Sequence, residues 1–461
     1  MTEINSVTTL TRDGDIAILT LNSPPVNALS AKVREGLFEG FKVAGASDAK
    51  AIVLICEGRT FIAGADISEF GGAMAGPSLF EVQDMMEGSP KPVIAAIHGT
   101  ALGGGLEVAL CAHYRVAVPS ARVGLPEVAL GLLPGAGGTQ RLPRIVGVEA
   151  ALDMVTSGRH VPAKQALAMG LVDELVEEGK LLEGAVAFAR KAVAENKPLV
   201  KVRDNNAKLE AAKGHPEIFA DFRKANARKF RGFMAPENNI KAVEAAVNSA
   251  TFDEGLKAER QLFGELMVGA QSAAQRYYFF AERQANKIPD VPDDTPIRPI
   301  KKVGILGAGT MGGGIAMNFL NTGIPVTIVE VQEAALERGL STIRKNYERS
   351  RTAKAEETEA RMALLSGSLD FDKLADCDLI IEAVFERMDI KKDIFARLDK
   401  VAKPGAMMAS NTSYLDIDEI ASVTSRPQDV IGLHFFSPAN VMRLLEIVRG
   451  EKTSKEVIAT S

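Results

Sequence analysis

Pro92 to Thr139 reads PVIAAIHGTALGGGLEVALCAHYRVAVPSARVGLPEVALGLLPGAGGT, a stretch that sets two carboxylates beside backbone suited to holding an anion. Val93 to Ile97 is a short apolar run expected as a buried strand. Gly103, Gly104 and Gly105 then open a helix with Glu107 in its first turn. The N–H groups of that turn lack intrahelical partners and sit at the positive end of the helix dipole, so they stabilise an oxyanion that develops beside them. Twenty residues on, Glu127 follows Pro126 in GLPEVALGLLPGAGGTQRL. One carboxylate can act as base and the other as acid. Each alone also has a plain reading, Glu107 as a helix N-terminal charge and Glu127 as a solvated loop residue.

Outward from this stretch, Ala51 to Cys56 is a further buried strand, and it leads to the small-residue loop FIAGADI at 61–67, a source of a second N–H donor. Asp15 to Leu21 alternates as a strand, and Ser30 to Ala46 has helical period with Ser30 as its N-cap. Strand, helix and strand recur through Val118, which predicts an α/β layer fold, with helices to follow at Gly135 to Val146 and Val148 to Ser157. Four motifs in order, PPVNALS at 24–30, FIAGADI at 61–67, HGTALGGGLE at 98–107 and LPEVALGLLPGAGGTQRLPR at 125–144, resemble the enoyl-CoA hydratase (crotonase) superfamily. The resemblance implies a crotonase-type spiral of short sheets with helices outside. It implies an oxyanion hole from the N–H groups of Ala63 and Gly104, Glu107 and Glu127 as the catalytic pair, and contacts from Ala65, Asp66 and Ile67 to an acyl-CoA thioester.

A chain of 461 residues is expected to fold as two or three domains with ample core. Its formal charge of −5 gives no general attraction for nucleic acid or an anionic membrane. Cys56, Cys111 and Cys377 lie in apolar or helical contexts and read as reduced core residues. No metal site is expected. No apolar run approaches the roughly 20 residues of a membrane span, and no leader pattern stands at the N-terminus. The expectation is an intracellular protein, cytoplasmic in a bacterium, with a peroxisome as the alternative.

From Glu178 to Asn286 the pattern is helical and no chemistry is visible in it. Phe252, Leu256, Leu262, Phe263, Leu266, Tyr277, Phe279 and Phe280 recur at helical spacing and read as packing. Ile288 to Ile300, IPDVPDDTPIRPI, has four prolines and three aspartates and marks a boundary. The expected division is 1–195, a helical extension at 196–287, a proline-rich linker at 288–300, and a doubly wound Rossmann domain at 301–461.

Lys302 to Leu306 reads as a strand, and GAGTMGGGIA then places Gly307, Gly309 and Gly312 in GxGxxG spacing at the mouth of a helix. A second strand, Pro325 to Val329, ends at Glu330, 18 residues after Gly312, near the spacing of an acid that binds the adenosine ribose. Glu330 would repel a 2′-phosphate, and Val331, Gln332 and Glu333 supply no arginine, so NAD is favoured over NADP. Further strands are expected at Leu379 to Val384, Ala406 to Ala409, Val430 to Phe435 and Leu444 to Val448. Their ends carry Glu386, Asn411, Ser413, His434 and Glu446. A buried Glu446 would orient the His434 imidazole and raise its basicity.

VGILGAGTMGGGIA, DLIIEAVFERMDIKK, ASNTSYLDI and GLHFFSPANVMRLLEIV resemble the 3-hydroxyacyl-CoA dehydrogenase family. The resemblance makes His434 the base, Glu446 its partner and Ser413 a hydrogen-bonding group for substrate and cofactor. It places Met311, Glu330, Val384, Phe385, Glu386 and Lys391 around NAD, with Asn411 nearby. Ser437 and Tyr414 stand where many relatives have asparagine and serine. The two resemblances in tandem, with FDEGLKAERQLFGELMVGAQSAAQRYYFFAER at 252–283 similar to a linker helix, suggest a multifunctional enzyme of fatty-acid β-oxidation, with a thiolase subunit as a candidate partner. Double-bond isomerisation is a related activity; another crotonase-type reaction or a CoA- and NAD-binding scaffold are the alternatives. The resemblance also implies a helical region after the Rossmann domain that closes over substrate. The sequence ends at Ser461, fifteen residues after Glu446, so the expectation is a competent hydratase with a dehydrogenase half that binds NAD but turns over poorly.

Overall fold

The computed structural model describes residues 1–69, 75–349 and 354–461. The chain forms two compact units, Met1–Asn286 and Lys287–Ser461.

In the first unit, a seven-stranded sheet runs in the order Thr2–Asn5, Thr8–Asp13, Ile16–Leu21, Ala51–Cys56, Val93–Ile97, Tyr114–Ala117 and Glu174–Leu175. The first two pairings are antiparallel and the rest parallel. A smaller sheet joins Thr100–Leu102, Arg122–Gly124 and Val161–Pro162. Ile16–Leu21, expected to alternate, is buried along nearly its whole length, because helices cover one face of the parallel sheet and further chain the other. Ser30 precedes the helix Ala31–Ala46 but makes no side-chain cap; the Ala31 N–H donates instead to Glu69 Oε1 at 2.9 Å. The helices expected from Gly135 and Val148 run Gly138–Val146 and Val148–Ser157.

Helices Glu217–Phe230, Ala235–Asn248, Phe252–Met267 and Ala270–Ala285 follow in the same unit. They bury Leu132, Leu133, Ala235, Ala242 and Leu266 in a cluster of their own, against which Phe263 packs. The packing expected of the aromatic positions holds for Phe252, but Tyr277 is 77% exposed and Phe280 47%.

The second unit is a seven-stranded sheet in the order Leu365–Ser368, Val326–Val329, Val303–Leu306, Leu379–Glu382, Met407–Ser410, Val430–Phe435 and Leu445–Val448. All pairings are parallel except the last. The order reverses at Val303–Leu306, the switch point at which doubly wound sheets bind ligands. The segment 288–300, expected as a linker, belongs to this unit. Ile288, Val291 and Ile300 pack on its core, and Arg298 pairs with Asp429 and Glu456 at 2.8 and 3.2 Å. Proline stopped regular structure there, yet the apolar residues between the prolines still found a core to cover.

Candidate active sites

Val93–Ile97 and Thr100–Leu102 deliver the chain to Gly103, whose φ of 53° turns it into the helix Gly104–Cys111. A side chain at Gly105 would put its Cβ 2.0 Å from the Ile62 carbonyl oxygen, so only glycine lets this helix approach the FIAGADI loop. Ala63 does not offer a free donor: its N–H is given to the Val26 carbonyl at 3.2 Å. Successive N–H groups of this extended loop point to opposite sides, and the amide nitrogen that faces the helix is that of Ala65. It stands 3.4 Å from where a Cβ on Gly104 would lie, and Ala65 is exposed. Ala65 therefore replaces Ala63 beside Gly104 at the site. Asp66 and Ile67 are half-buried in the continuation of the loop.

Glu107 is 3% exposed, and its Oε1 accepts the N–H groups of Ala136 and Gly138 at 2.8 and 2.9 Å. Burial raises its carboxyl above the ordinary carboxylate range, against the two amide bonds and the Arg141 guanidinium, which pull it down. Glu127 opens the short 3-10 helix Glu127–Leu130, and its Oε1 lies 2.9 Å from the position of a Cβ on Gly103. Its Oε2 is sealed from solvent with no hydrogen-bond partner. Burial first, and then the charges of Glu107 and Glu259, push this carboxyl well above its usual range. The structure thus brings Glu107, Glu127, Gly104 and Ala65 to one place.

Three residues of this site, Arg141, Glu87 and Glu259, were not singled out in the sequence. Arg141, 2% exposed, forms a bidentate pair with Glu87 at 2.9 and 2.7 Å. Glu259, fully buried, reaches the same loop from the helix Phe252–Met267, where no chemistry was expected. Arg141 stands within TQRLPR, so its position in the motif was the only hint. Glu259 is 122 residues from Gly137 in the chain, and only the fold joins them.

In the second unit, Gly307 takes φ 101° at the end of Val303–Leu306, and the helix Thr310–Asn321 follows. A Cβ at Gly312 would fall 1.9 Å from the Gly307 carbonyl oxygen, whereas Gly309 faces open space. The turn is therefore closed by one glycine and left bare by another, as a pyrophosphate cradle requires. Glu330, at the end of Val326–Val329, accepts the Ala308 N–H at 3.0 Å and so fixes this turn. These residues fit a dinucleotide. Met311, in the first turn of Thr310–Asn321, and Val384, just past Leu379–Glu382, are half-buried, and Phe385 is 79% exposed.

Lys391, expected to line the cofactor site, is instead 1% exposed and held by Glu382 at 2.7 and 2.9 Å and Glu386 at 3.3 Å. Glu382, unseen as a polar site in an apolar strand, is fully buried and also accepts Ser410 Oγ at 2.7 Å. Glu386 in turn accepts Thr412 Oγ1 at 2.6 Å and the Ser413 N–H at 2.7 Å. Asn411 Oδ1 accepts the Phe435 N–H at 2.9 Å. His434 and Glu446 are direct partners across antiparallel strands, with Nδ1 2.7 Å from Glu446 Oε2. The expected burial of Glu446 fails: its side chain is 51% exposed because Leu445–Val448 is the edge of the sheet.

Among the described residues no group of carboxylates, histidines and cysteines is arranged to hold a metal, and no helix is long and apolar enough to cross a membrane.

Residues 11–218 match the model of the enoyl-CoA hydratase/isomerase family, and residues 302–461 that of the 3-hydroxyacyl-CoA dehydrogenase NAD-binding domain. The chain therefore joins a crotonase-fold hydratase-type domain to a dehydrogenase-type Rossmann domain. It is 45% identical over 451 residues to the peroxisomal bifunctional enzyme of Danio rerio, covering 97% of this chain and 62% of that one. It is 42% identical over 457 residues to the Homo sapiens protein of the same name, covering 96% and 62%. It is 37% identical over 459 residues to the peroxisomal fatty acid beta-oxidation multifunctional protein AIM1 of Arabidopsis thaliana, covering 96% and 63%. The chain thus matches the enoyl-CoA hydratase/isomerase family and the 3-hydroxyacyl-CoA dehydrogenase NAD-binding domain in tandem, and it is similar along nearly its whole length to these peroxisomal enzymes. It spans 62% of the length of the Danio rerio and Homo sapiens relatives. The expectation of a bacterial cytoplasmic protein is overturned by these relatives, which are named as peroxisomal.

Proposed function

We propose that the first unit adds water across the double bond of a 2-enoyl-CoA, as a step of peroxisomal fatty-acid β-oxidation. The observation that carries this reading is a pair of acids with unequal surroundings beside the N-terminus of Gly104–Cys111, Glu107 buried and Glu127 half-buried with one carboxyl oxygen sealed from solvent. Glu107, eased by two amides and Arg141, is the more readily ionised and acts as base. Glu127, with an unpartnered Oε2 and like charges nearby, keeps its proton and acts as acid. Glu107 takes a proton from water as its oxygen bonds to C3, and Glu127 delivers its proton to C2. The charge that gathers on the thioester oxygen falls to the N–H groups of Gly104 and Ala65. Losing one such donor costs roughly 3–4 kcal/mol of barrier.

The second unit then serves a 3-hydroxyacyl-CoA. NAD, when bound, supplies the hydride acceptor. Gly307, Gly309, Gly312 and Glu330 would hold its pyrophosphate and ribose, with Met311, Val384 and Phe385 beside them. His434 Nδ1 is fixed by Glu446, which leaves Nε2 to take the hydroxyl proton. Ser413, whose N–H donates to Glu386, would hydrogen-bond the substrate.

The test is loss of conjugated-thioester absorbance with short, medium and long 2-enoyl-CoA, followed by addition of NAD and detection of NADH. Hydration without effect of Glu107→Gln or Glu127→Gln, or no hydration at any chain length, would sink the assignment.

A further inference from the structure

Ala136, Gly137, Gly138 and Thr139 present four successive backbone N–H groups, and two carboxylates share them alternately. Ala136 and Gly138 donate to Glu107 Oε1. Gly137 donates to Glu259 Oε1 at 2.7 Å and Thr139 to Glu259 Oε2 at 3.1 Å. The Thr139 hydroxyl adds a third bond to Glu259 Oε2 at 2.5 Å. Glu259 comes from Phe252–Met267, in the helical extension. The same extension holds the segment from Glu127 onward at three more points. Ser272 Oγ donates to the Leu130 carbonyl at 2.9 Å, Asn239 Nδ2 donates to the Leu132 carbonyl at 3.1 Å, and the Phe263 ring lies against Gly135.

We infer that Glu259 is a positioning residue of the hydratase site. It fixes the loop whose amides hold Glu107 and, once ionised on the alkaline side, sets a negative charge that helps Glu127 keep its proton. The inference rests on the hydration reading above and extends it to a helix outside the hydratase core. A purely structural role would make Glu259 no more than an N-terminal cap for Gly138–Val146. A cap, however, has no bearing on the ionisation of Glu127, whereas the Glu259 charge raises that carboxyl directly. The ionisable groups that act on Glu259 or are acted on by it are Glu107, Glu127 and Arg141, the last paired with Glu87. Burial and the Glu107 charge raise Glu259 itself to about 8, against the Thr139 and Gly137 bonds and Arg141. Titration of the three acids is thus linked, and removing one lets the others ionise at lower pH.

The experiment compares wild-type chain, Glu259→Gln and Glu259→Ala in enoyl-CoA hydration from pH 5.5 to 9.5, with thermal melting at each pH. In Glu259→Gln the shape remains but the one carbonyl acceptor serves either Gly137 or Thr139, so melting falls modestly while KM stays within about threefold. The alkaline limb of the rate, which reports loss of the Glu127 proton, moves to lower pH by about half a unit or more. In Glu259→Ala the loop loses its anchor and kcat falls about tenfold to a hundredfold, with KM changed less than about threefold. A Glu259→Gln profile that superimposes on wild type overturns the role of Glu259, as does a loss in Glu259→Ala explained wholly by its unfolded fraction. A wild-type chain silent across the enoyl-CoA panel overturns the hydration reading, and this inference with it.

Discussion

Glu127→Gln separates chemistry from stability, because the structure predicts opposite signs for the two. A positioned general acid contributes roughly 10² to 10⁴ in rate, about 2.7 to 5.4 kcal/mol at about 1.36 kcal/mol per tenfold. The amide has no proton to give to C2, so hydration falls by at least that lower factor. Stability should not fall with it. Glu127 Oε2 is a buried polar atom with no partner, a condition that costs about 1–3 kcal/mol, and an amide N–H at that place can face the Glu107 and Glu259 carboxylates.

The pH dependence fixes the sign further. Burial and two like charges raise the folded pKa of Glu127 well above 4.5. Stability from this group is therefore fully present below its unfolded pKa and is lost as pH rises through the folded one. Glutamine has no such loss, so the variant gains on wild type as pH rises. At roughly 2–4 °C per kcal/mol for a unit of this size, the melting temperatures should be close at pH 5 and differ by about 2–4 °C in favour of the variant near pH 9. Differential scanning fluorimetry on the two proteins across this range, beside the absorbance assay, measures both. A variant that melts lower than wild type while keeping more than about a tenth of its hydration rate would refute the reasoning and mark Glu127 as structural.

Gly312→Ala puts a methyl 1.9 Å from backbone oxygen, so the glycine turn must open; NAD affinity measured by calorimetry should fall at least about tenfold, and an unchanged affinity would detach this turn from the cofactor. Glu446→Gln removes the charge that faces His434 Nδ1, and oxidation of 3-hydroxybutyryl-CoA should fall about tenfold to a hundredfold while NAD affinity stays within about twofold; equal loss of both would mean a disturbed fold. Lys391→Met leaves the fully buried Glu382 carboxylate with the Ser410 hydroxyl and the Val384 N–H but no cation, and the second unit should lose about 3–5 kcal/mol in urea unfolding; a loss under about 1 kcal/mol would show that Glu382 is protonated or hydrated in the variant.

The inner strands of both sheets were legible as short apolar runs bounded by glycine, proline or a polar residue, whereas Thr2–Asn5, Thr8–Asp13 and Leu365–Ser368, which carry no such run, were not expected. The glycine turns were legible because a Cβ at Gly105 or Gly312 would collide with backbone. What sequence order does not carry is which of several adjacent amides faces a site. Ala63 and Ala65 lie two residues apart in FIAGADI, and only the Val26 carbonyl, 37 residues upstream of Ala63, decides that Ala63 is already engaged. Lys391 was misplaced for a related reason. It was expected to line the cofactor site, and the ion pair with Glu382, which buries it, is hidden in an apolar strand. Glu446 erred in the other direction, since an apolar strand was taken as a buried one although it forms the edge of the sheet.

The two candidate sites hold their carboxylates by different physics. Glu446 is half-exposed, so its pairing with His434 depends on cross-strand register and is weakened by water, and its value lies in orienting a ring. Glu107, Glu127 and Glu259 are withdrawn from water, where like charges raise one another and the protons they share are not independent. Such a cluster would be unstable without compensation, and it is supplied by four loop amides and by Arg141. Since two of those amides are occupied by a residue from Phe252–Met267, the helical extension is part of what keeps one acid ionised and the other protonated. A hydratase core cut away from that helix at residue 195 would retain Glu107 and Glu127 yet leave the Gly137 and Thr139 amides without their buried acceptor.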